Sequence, residues 1–316
     1  MQKLLIGLIS FKDLPYLEKT MPVLEEMRRE FNAEAVVMDT AQEDVTRDFF
    51  SAQFPDWKYL RSGGGNVGYG GSYNEILEKF SGSDYFLIVT SDVIMDLAAV
   101  KKFIAEMEKD KEIAMCAGKL HQWNFKENLK TDNIDSLGIS ARKNHHFYDR
   151  GQGEKDVGQY DAKLQNFFGL TGAVLLIRTA IIKEIRTDER IFDPLIWMYK
   201  EDIDLSYRLR WLGKKIVMFP EVWGWHARTA GSGSKKAYYV ILNSYKNHLL
   251  LLKNNFSMGF GAAVFLHIFI YEFAKAIYML ILHPSVLLAG LKTLFTLKSE
   301  KSKRAVNPKI ILSYFE

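Results

Sequence analysis

A single cysteine, Cys116, stands in 316 residues, so no internal disulfide can form; its place in the apolar run Ile113 to Ala117 suggests a buried thiol and a reducing compartment. An excess of charge of one sign is also lacking over most of the chain. The formal net charge is +4, yet residues 292 to 309 hold six basic residues against one acidic, so the excess is local and the remainder is close to neutral. That distribution does not suit a nucleic-acid footprint, and no nucleic-acid partner is expected. The N-terminal apolar run is too short for a signal peptide and lacks a small-residue cleavage pattern, so Leu4 to Ile9 reads as a first buried strand. Long hydrophobic runs are missing too. Phe260 to Tyr271 and Ala276 to Leu282 are separated by Glu272 and Lys275 and followed by Pro284, short of the ~20 uninterrupted apolar residues of a spanning helix.

What is present is enough hydrophobic content, 48% against 25% charged, to bury a large core, which excludes global disorder. The first 120 residues alternate apolar runs with amphipathic patterns. Strands are expected at 4 to 9, 34 to 38, 85 to 90 and 113 to 117, with a strand-like Trp57 to Leu60, and helices near 16 to 31, 72 to 80 and 97 to 108. In the first helix Leu17, Met21, Leu24, Met27 and Phe31 share one side, which marks a core-facing stripe. Alternation at this spacing predicts an α/β fold with a mostly parallel sheet flanked by helices. Residues 121 to 165 lack periodicity and are expected to be irregular and site-lining; patterning resumes with an apolar run at Phe167 to Ile177, a helix from Thr179, a helix at Glu201 and a strand at Lys215 to Phe219.

Composition shifts beyond residue 231, which divides the chain into 1–231 and a helical extension, 232–316. A helical pattern at 235 to 253 precedes the apolar runs. In-plane helices on the inner, cytoplasmic face of the cell membrane are expected through 256–304, with Lys298, Lys301, Lys303 and Arg304 meeting anionic headgroups. Packing on the domain or a homodimer interface is the alternative use of such surface.

The densest chemistry lies in Tyr199-Lys-Glu-Asp-Ile-Asp204, where three carboxylates open a helix marked by Leu205, Leu209 and Leu212 and stopped at Gly213. Such acids either cap the helix and complement its dipole or form an acid/base centre. Asp204 precedes Arg208 by four residues, the spacing of an ion pair. Residues 62 to 74 are glycine-dense before a helix, which suits close approach to an anionic ligand or a plain turn; no Gly-Lys-Ser/Thr follows, so this is no P-loop. Asp39 and Asp92 follow strands where open α/β sheets bind ligands, and oxygen donors there suit Mg²⁺ or Mn²⁺; each could equally cap its own loop. His226 follows two tryptophans, and Trp197, Trp223 and Trp225 could stack on sugars or fill core.

In order along the chain, Asn66-Val-Gly-Tyr-Gly-Gly-Ser-Tyr-Asn74, Ser91-Asp-Val93, Gly169-Leu-Thr-Gly-Ala173, Phe192-Asp193, Met198 to Leu205 and His226 resemble the family 2 glycosyltransferases, in their bacterial rhamnosyltransferase-like branch. The resemblance covers about residues 3 to 231. It implies a GT-A fold and inverting transfer of a sugar, rhamnose in that branch, from a nucleotide-sugar donor to a hydroxyl of a saccharide or lipid-linked acceptor in polysaccharide biosynthesis. By that likeness Ser10, Asp39, Asn66, Gly68, Tyr69, Gly70, Asn74 and Ser91 face the donor, and Asp92 with His226 holds the metal. Asp202 is the general base and Glu201 its support, while Trp197, Gly172 and Arg150, the last in a segment running from Asp135, face the acceptor. Two departures stand out. Asp39-Thr-Ala-Gln-Glu-Asp44 lacks the Asn and Ser usual after the first aspartate, and Ser91-Asp92-Val93 offers one carboxylate rather than two. The rival reading is a non-catalytic sugar-binding or scaffolding subunit of a polysaccharide assembly complex.

Overall fold

The computed structural model describes residues 3–228, 238–298 and 300–316. The division expected at 231 and the start of the helical pattern at 235 lie outside them. The first elements alternate as β1 (Leu4–Ser10), α1 (Leu14–Glu30), β2 (Glu34–Asp39), α2 (Asp44–Gln53), β3 (Lys58–Arg61), α3 (Gly68–Lys79) and β4 (Tyr85–Thr90). There follow β5 (Val93–Met95), α4 (Leu97–Lys109), β6 (Ile113–Asn124), β7 (Leu129–Ser136), β8 (Ile139–Ala141) and β9 (Phe147–Asp149). The order continues with β10 (Val174–Arg178), α5 (Ile182–Ile185), α6 (Glu201–Trp211) and β11 (Lys215–His226). Four helices close the chain: α7 (Tyr238–Asn255), α8 (Ala262–Leu282), α9 (Pro284–Thr296) and α10 (Pro308–Leu312).

The main sheet runs β3-β2-β1-β4-β10-β6-β11-β5, with β7 added beside β6. Its first four strands are parallel, with the apolar runs of β1, β2 and β4 buried and the short β3 at the open edge. β10 is then inserted antiparallel between β4 and β6, and β11 pairs parallel to β6. The parallel half aligns the carboxyl ends of β1, β2 and β4, so Ser10 pairs with Asp39 and Ile9 with Thr90 along one edge. Leu17, Met21, Leu24 and Met27 of α1 are fully buried in the core under that sheet, and Cys116 is buried there as well.

Two sequence expectations need correction here. Residues 121 to 165 are not wholly irregular: β6 extends to Asn124, and β7, β8 and β9 follow as antiparallel strands. Their periodicity is hidden because β7, Leu-Lys-Thr-Asp-Asn-Ile-Asp-Ser, is a largely exposed polar strand. Nor do Glu272 and Lys275 interrupt the apolar segment. Ala262–Leu282 is one continuous helix, with mean hydropathy 1.7 over an 18-residue window, long and apolar enough by composition to cross a membrane. Both charges turn inward: Glu272 Oε1 lies 2.6 Å from His248 Nε2 on α7, and the Lys275 ammonium sits over the rings of Tyr245 and Tyr271.

Helix α6 is buried on every side. Leu205 and Leu209 join the main core, while Ile203, Tyr207 and Trp211 join a second cluster with Leu250, Phe260, Ile311 and Phe315 from the C-terminal segment. Its ion pair forms as the spacing predicts, Arg208 Nε to Asp204 Oδ2 at 2.6 Å, and the same guanidinium reaches Asp193 and the carbonyl of Glu300.

Candidate active site

Strand ends supply the first half of the site. Asp13, just beyond β1, accepts from Ser10 Oγ at 2.6 Å and from Ser91 Oγ, so one half-buried carboxylate ties the ends of β1 and β4 together. Burial raises the Asp13 carboxyl above its usual range despite those hydrogen bonds. No motif in the sequence marks Asp13, although it follows Ser10 by three positions at the edge where the strand-end acids lie.

Asp39 is fully buried, and its oxygens accept from the backbone N–H groups of Ala41, Gln42 and Glu43 and from Tyr59 Oη. The structure therefore displays the loop-capping use of this residue.

In the glycine-dense segment the helix begins at Gly68, four residues ahead of expectation. A Cβ on Gly68, whose φ is +75°, would run into the carbonyl of Trp197, and one on Gly70 would stand 2.9 Å from Phe192 Cβ. These glycines serve helix packing; the open ones are Gly63, Gly64 and Gly65, where a Cβ meets nothing within 4 Å. Asn66 caps the turn by accepting from Gly68 N, and its carbonyl accepts from Trp197 Nε1 at 3.0 Å. Asn74 does not reach outward. Its amide exchanges two hydrogen bonds with the backbone of Phe192 and so pins the segment leading into α6.

That segment ends in a left-handed turn, Tyr199 at φ 70° and Lys200 at φ 78°, immediately before the acid cluster. Two consecutive non-glycine residues in this region store strain, and they persist only where surroundings hold them. Asn247 of α7 is the clasp, donating to the carbonyls of Met198 and Tyr199 at 2.8 and 2.9 Å. The turn presents Asp202 to Gly172, whose N–H donates to Asp202 Oδ2 at 3.0 Å, while Tyr69 Oη donates to the Gly172 carbonyl. Asp202, Gly172 and Tyr69 are thus brought together.

A helix N-terminus is expected to hold Asp202 at low pKa, but the balance runs the other way. Burial raises it, the Gly172 N–H opposes, and the charge of Asp149 adds to the rise. Glu201 next to it is pushed up to about 8 by burial first and by Asp202 second, and its Oε2 is buried without a hydrogen bond among the described residues. Both carboxyls are thus raised, and the tightly coupled pair titrates as a unit. Because the unfolded chain releases the Glu201 proton from about 4.5, the folded state binds more protons between about 4.5 and 8, and stability falls as pH rises through that window. Glu201→Gln is expected to flatten this slope and to exceed the parent by roughly 1–3 kcal/mol near pH 8. Urea titrations at several pH values check it; parallel slopes in the two proteins would refute it.

A second charge chain leads away from β4. Asp92 Oδ1 accepts from Thr90 Oγ1 at 2.8 Å, Asp92 Oδ2 faces His226 Nε2 at 3.3 Å, and His226 Nδ1 lies 2.8 Å from Asp135. Burial alone would lower His226, but Asp92 and Asp135 outweigh it and push it up to about 10. Arg228 extends the chain by binding Asp135 and Asp149. Arg150 lines a polar cleft of about 660 Å³ with Asp149 and Tyr160; its guanidinium donates to the Asn166 carbonyl and covers the Tyr160 ring.

Whether these groups suit a divalent cation rests on Asp92 and His226. No cluster of three or more His, Cys, Asp or Glu side chains is arranged for a metal among the described residues. The pair fits a cation that displaces the Nε2 proton: the Asp92 oxygen and the freed ring nitrogen then face each other as donors, and Asp135 on the far nitrogen is the outer carboxylate that orients a ligating histidine. Two protein donors suit an ion completed by phosphate oxygens.

The profile of glycosyl transferase family 2 matches residues 6–186. Among solved structures, GalNAc-T7 with UDP, GalNAc and Mn²⁺ aligns at TM-score 0.62 and 12% identity over 80% of this chain, which spans 48% of that one. Residues 1–349 of S. aureus TarS with UDP-GlcNAc align at TM-score 0.58 and 13% identity, covering 92% and 81%. The mannosyltransferase PcManGT from Pyrobaculum calidifontis, with GDP-Man and Mn²⁺, aligns at 0.51 and 12%, covering 92% and 74%. At these identities the likeness is one of fold. No curated protein sequence matches.

Proposed function

The chain belongs to glycosyl transferase family 2 and is a glycosyltransferase of GT-A fold, and from that premise we propose an inverting enzyme that uses Asp202 as general base. Its donor is a nucleoside diphosphate sugar, rhamnose in the branch the sequence resembles, and its acceptor a hydroxyl of a saccharide or lipid-linked saccharide in polysaccharide biosynthesis. The observation that carries this reading is the Glu201 and Asp202 pair, set behind a strained turn, with Asp202 held against the Gly172 N–H and both carboxyls raised by burial.

Inversion needs attack from the face opposite the leaving diphosphate. Asp202 takes the acceptor hydroxyl proton as the oxygen bonds the anomeric carbon, and the bond to the diphosphate breaks with its electron pair leaving on that group. A carboxyl raised toward neutrality accepts that proton more readily than an ordinary one. Mg²⁺ or Mn²⁺ bound at Asp92 and His226 would neutralise charge growing on the diphosphate. Asp135 keeps the His226 ring oriented, and Tyr69 fixes Gly172 beside Asp202. A thermal-shift screen of UDP-, GDP- and dTDP-sugars with and without Mn²⁺ tests the reading: one sugar nucleotide should stabilise the protein, and Asp92→Ala should weaken that shift. Indifference to all of them would overturn it.

We also place the enzyme at the inner face of the cell membrane through 256–304. The outward face of α8 exposes Phe265, Phe269 and Phe273 at 47%, 57% and 59%, and α9 exposes Leu288 and Phe295. In-plane docking is supported because Val264, Ile268 and Met279 bury an inner stripe of α8 from its first turn to its last. A spanning helix would have to leave the domain. Replacing the three phenylalanines by serine is expected to release the protein from a detergent-free membrane pellet, each ring contributing on the order of 1.5 kcal/mol. Unchanged sedimentation would remove the membrane reading and leave the exposed face to a homodimer.

A further inference from the structure

Where α7 ends and residues 256–260 turn back toward α8, the apolar face opens into a groove of about 770 Å³. Met258, Phe265 and Phe269 form one side of its lining, and Lys253, Lys301 and Arg304 supply its charge. Met258 is 79% exposed. Phe265, Phe269 and Phe273 stack in a near-parallel ladder leading away from the groove, with successive centroids 6.4 and 6.1 Å apart.

The three cations are set differently. Lys253 Nζ is held by the carbonyls of Leu294 and Leu297 at the end of α9, and Arg304 donates one N–H to the Phe256 carbonyl while lying over Trp211. Lys301 is exposed. The one carboxylate on the lining, Glu272, turns to His248. Water-exposed phenyl rings beside cations stabilise neither folding nor solubility, but they match a ligand with an anionic head and an apolar tail. An inorganic anion would have no use for the phenyl wall, and an apolar partner helix would have none for the cations.

We infer that this groove seats one anionic phospholipid of the bilayer, its phosphate against Lys301 and Arg304 and its acyl chain along Phe265 and Phe269. The inference rests on the membrane-facing reading of α8 and α9 and deepens it: the surface selects headgroup charge and does more than adhere to any bilayer.

Co-sedimentation of the full chain with phosphatidylcholine vesicles, with and without phosphatidylglycerol, tests it. The parent should prefer the anionic vesicles, and Lys301→Ala should reduce that preference roughly fivefold while binding to phosphatidylcholine stays unchanged. Met258→Trp gives a second readout, since its emission should be quenched by phosphatidylglycerol brominated on the acyl chain beyond any change in the parent. Equal binding to both vesicles, or a preference that survives Lys301→Ala, would overturn the inference. So would full protection by soluble glycerol phosphate, which would make this a small-anion site, or self-association without lipid preference, which would give the face to a second copy. Nucleotide-sugar consumption measured without vesicles fails or succeeds separately, so the catalytic and lipid readings are told apart.

Discussion

Asp202→Asn is expected to lower kcat by about 10²–10⁴-fold, the usual contribution of a positioned general base, with donor binding retained and stability lowered by no more than the one backbone hydrogen bond lost, about 1 kcal/mol. The substitution keeps an acceptor for one of the two backbone N–H groups, of Gly172 and Ile203, that the carboxylate oxygens meet, and removes the state that can take a proton. Single-turnover kinetics with saturating donor separates the chemical step from binding. Activity within a few fold of the parent would move the base elsewhere. A loss of stability well beyond that one bond would instead mean that the carboxylate acts mainly as a helix cap.

Arg208→Met is expected to destabilise the protein by about 3–5 kcal/mol, the largest stability effect foreseen for a single change. The guanidinium is 1% exposed and meets Asp204 and Asp193, themselves 2% and 1% exposed, so its loss leaves two carboxylates in the interior with one cation fewer. Arg186 reaches Asp193 at 3.2 Å and also binds Asp188 and Glu300, which limits the damage on that side. Urea unfolding should show a lower midpoint at unchanged slope. Arg208→Met combined with Asp204→Leu should recover part of the loss, because the uncompensated charge leaves with its partner; strict additivity of the two changes would refute the pairing.

How much of this could be read from residues alone depended on range. Asp39 and Asp92 stand out in the sequence because parallel strands place their carboxyl ends along one edge, a local rule, whereas Ser10 and Ser91 come only with the family resemblance. Asp204 and Arg208 were found because four residues make one helical turn. The Asp135, Asp149 and Arg228 chain was not assembled, since it joins positions 79 and 93 residues apart from strands whose polar sequence carries no apolar alternation. The start of α3 was placed late because glycine is a poor helix former, and contacts with Trp197 and Phe192 override that tendency. No glycine marked the left-handed turn at Tyr199 and Lys200. The raised state of Asp202 was missed because the helix dipole can be inferred from a sequence, whereas the depth of burial that defeats it comes only with packing.

The clasp of Asn247 on Met198 and Tyr199 changes how the C-terminal third should be handled in the laboratory. A truncation meant to yield a conveniently soluble catalytic fragment would cut away the support of the turn that aims Asp202, together with Leu250, Phe260, Ile311 and Phe315 against the back of the same helix. An inactive fragment would then be mistaken for evidence that membrane contact switches the enzyme on. Solubilising substitutions on the outer face of α8 are the sounder route to a tractable protein, since they leave the clasp in place.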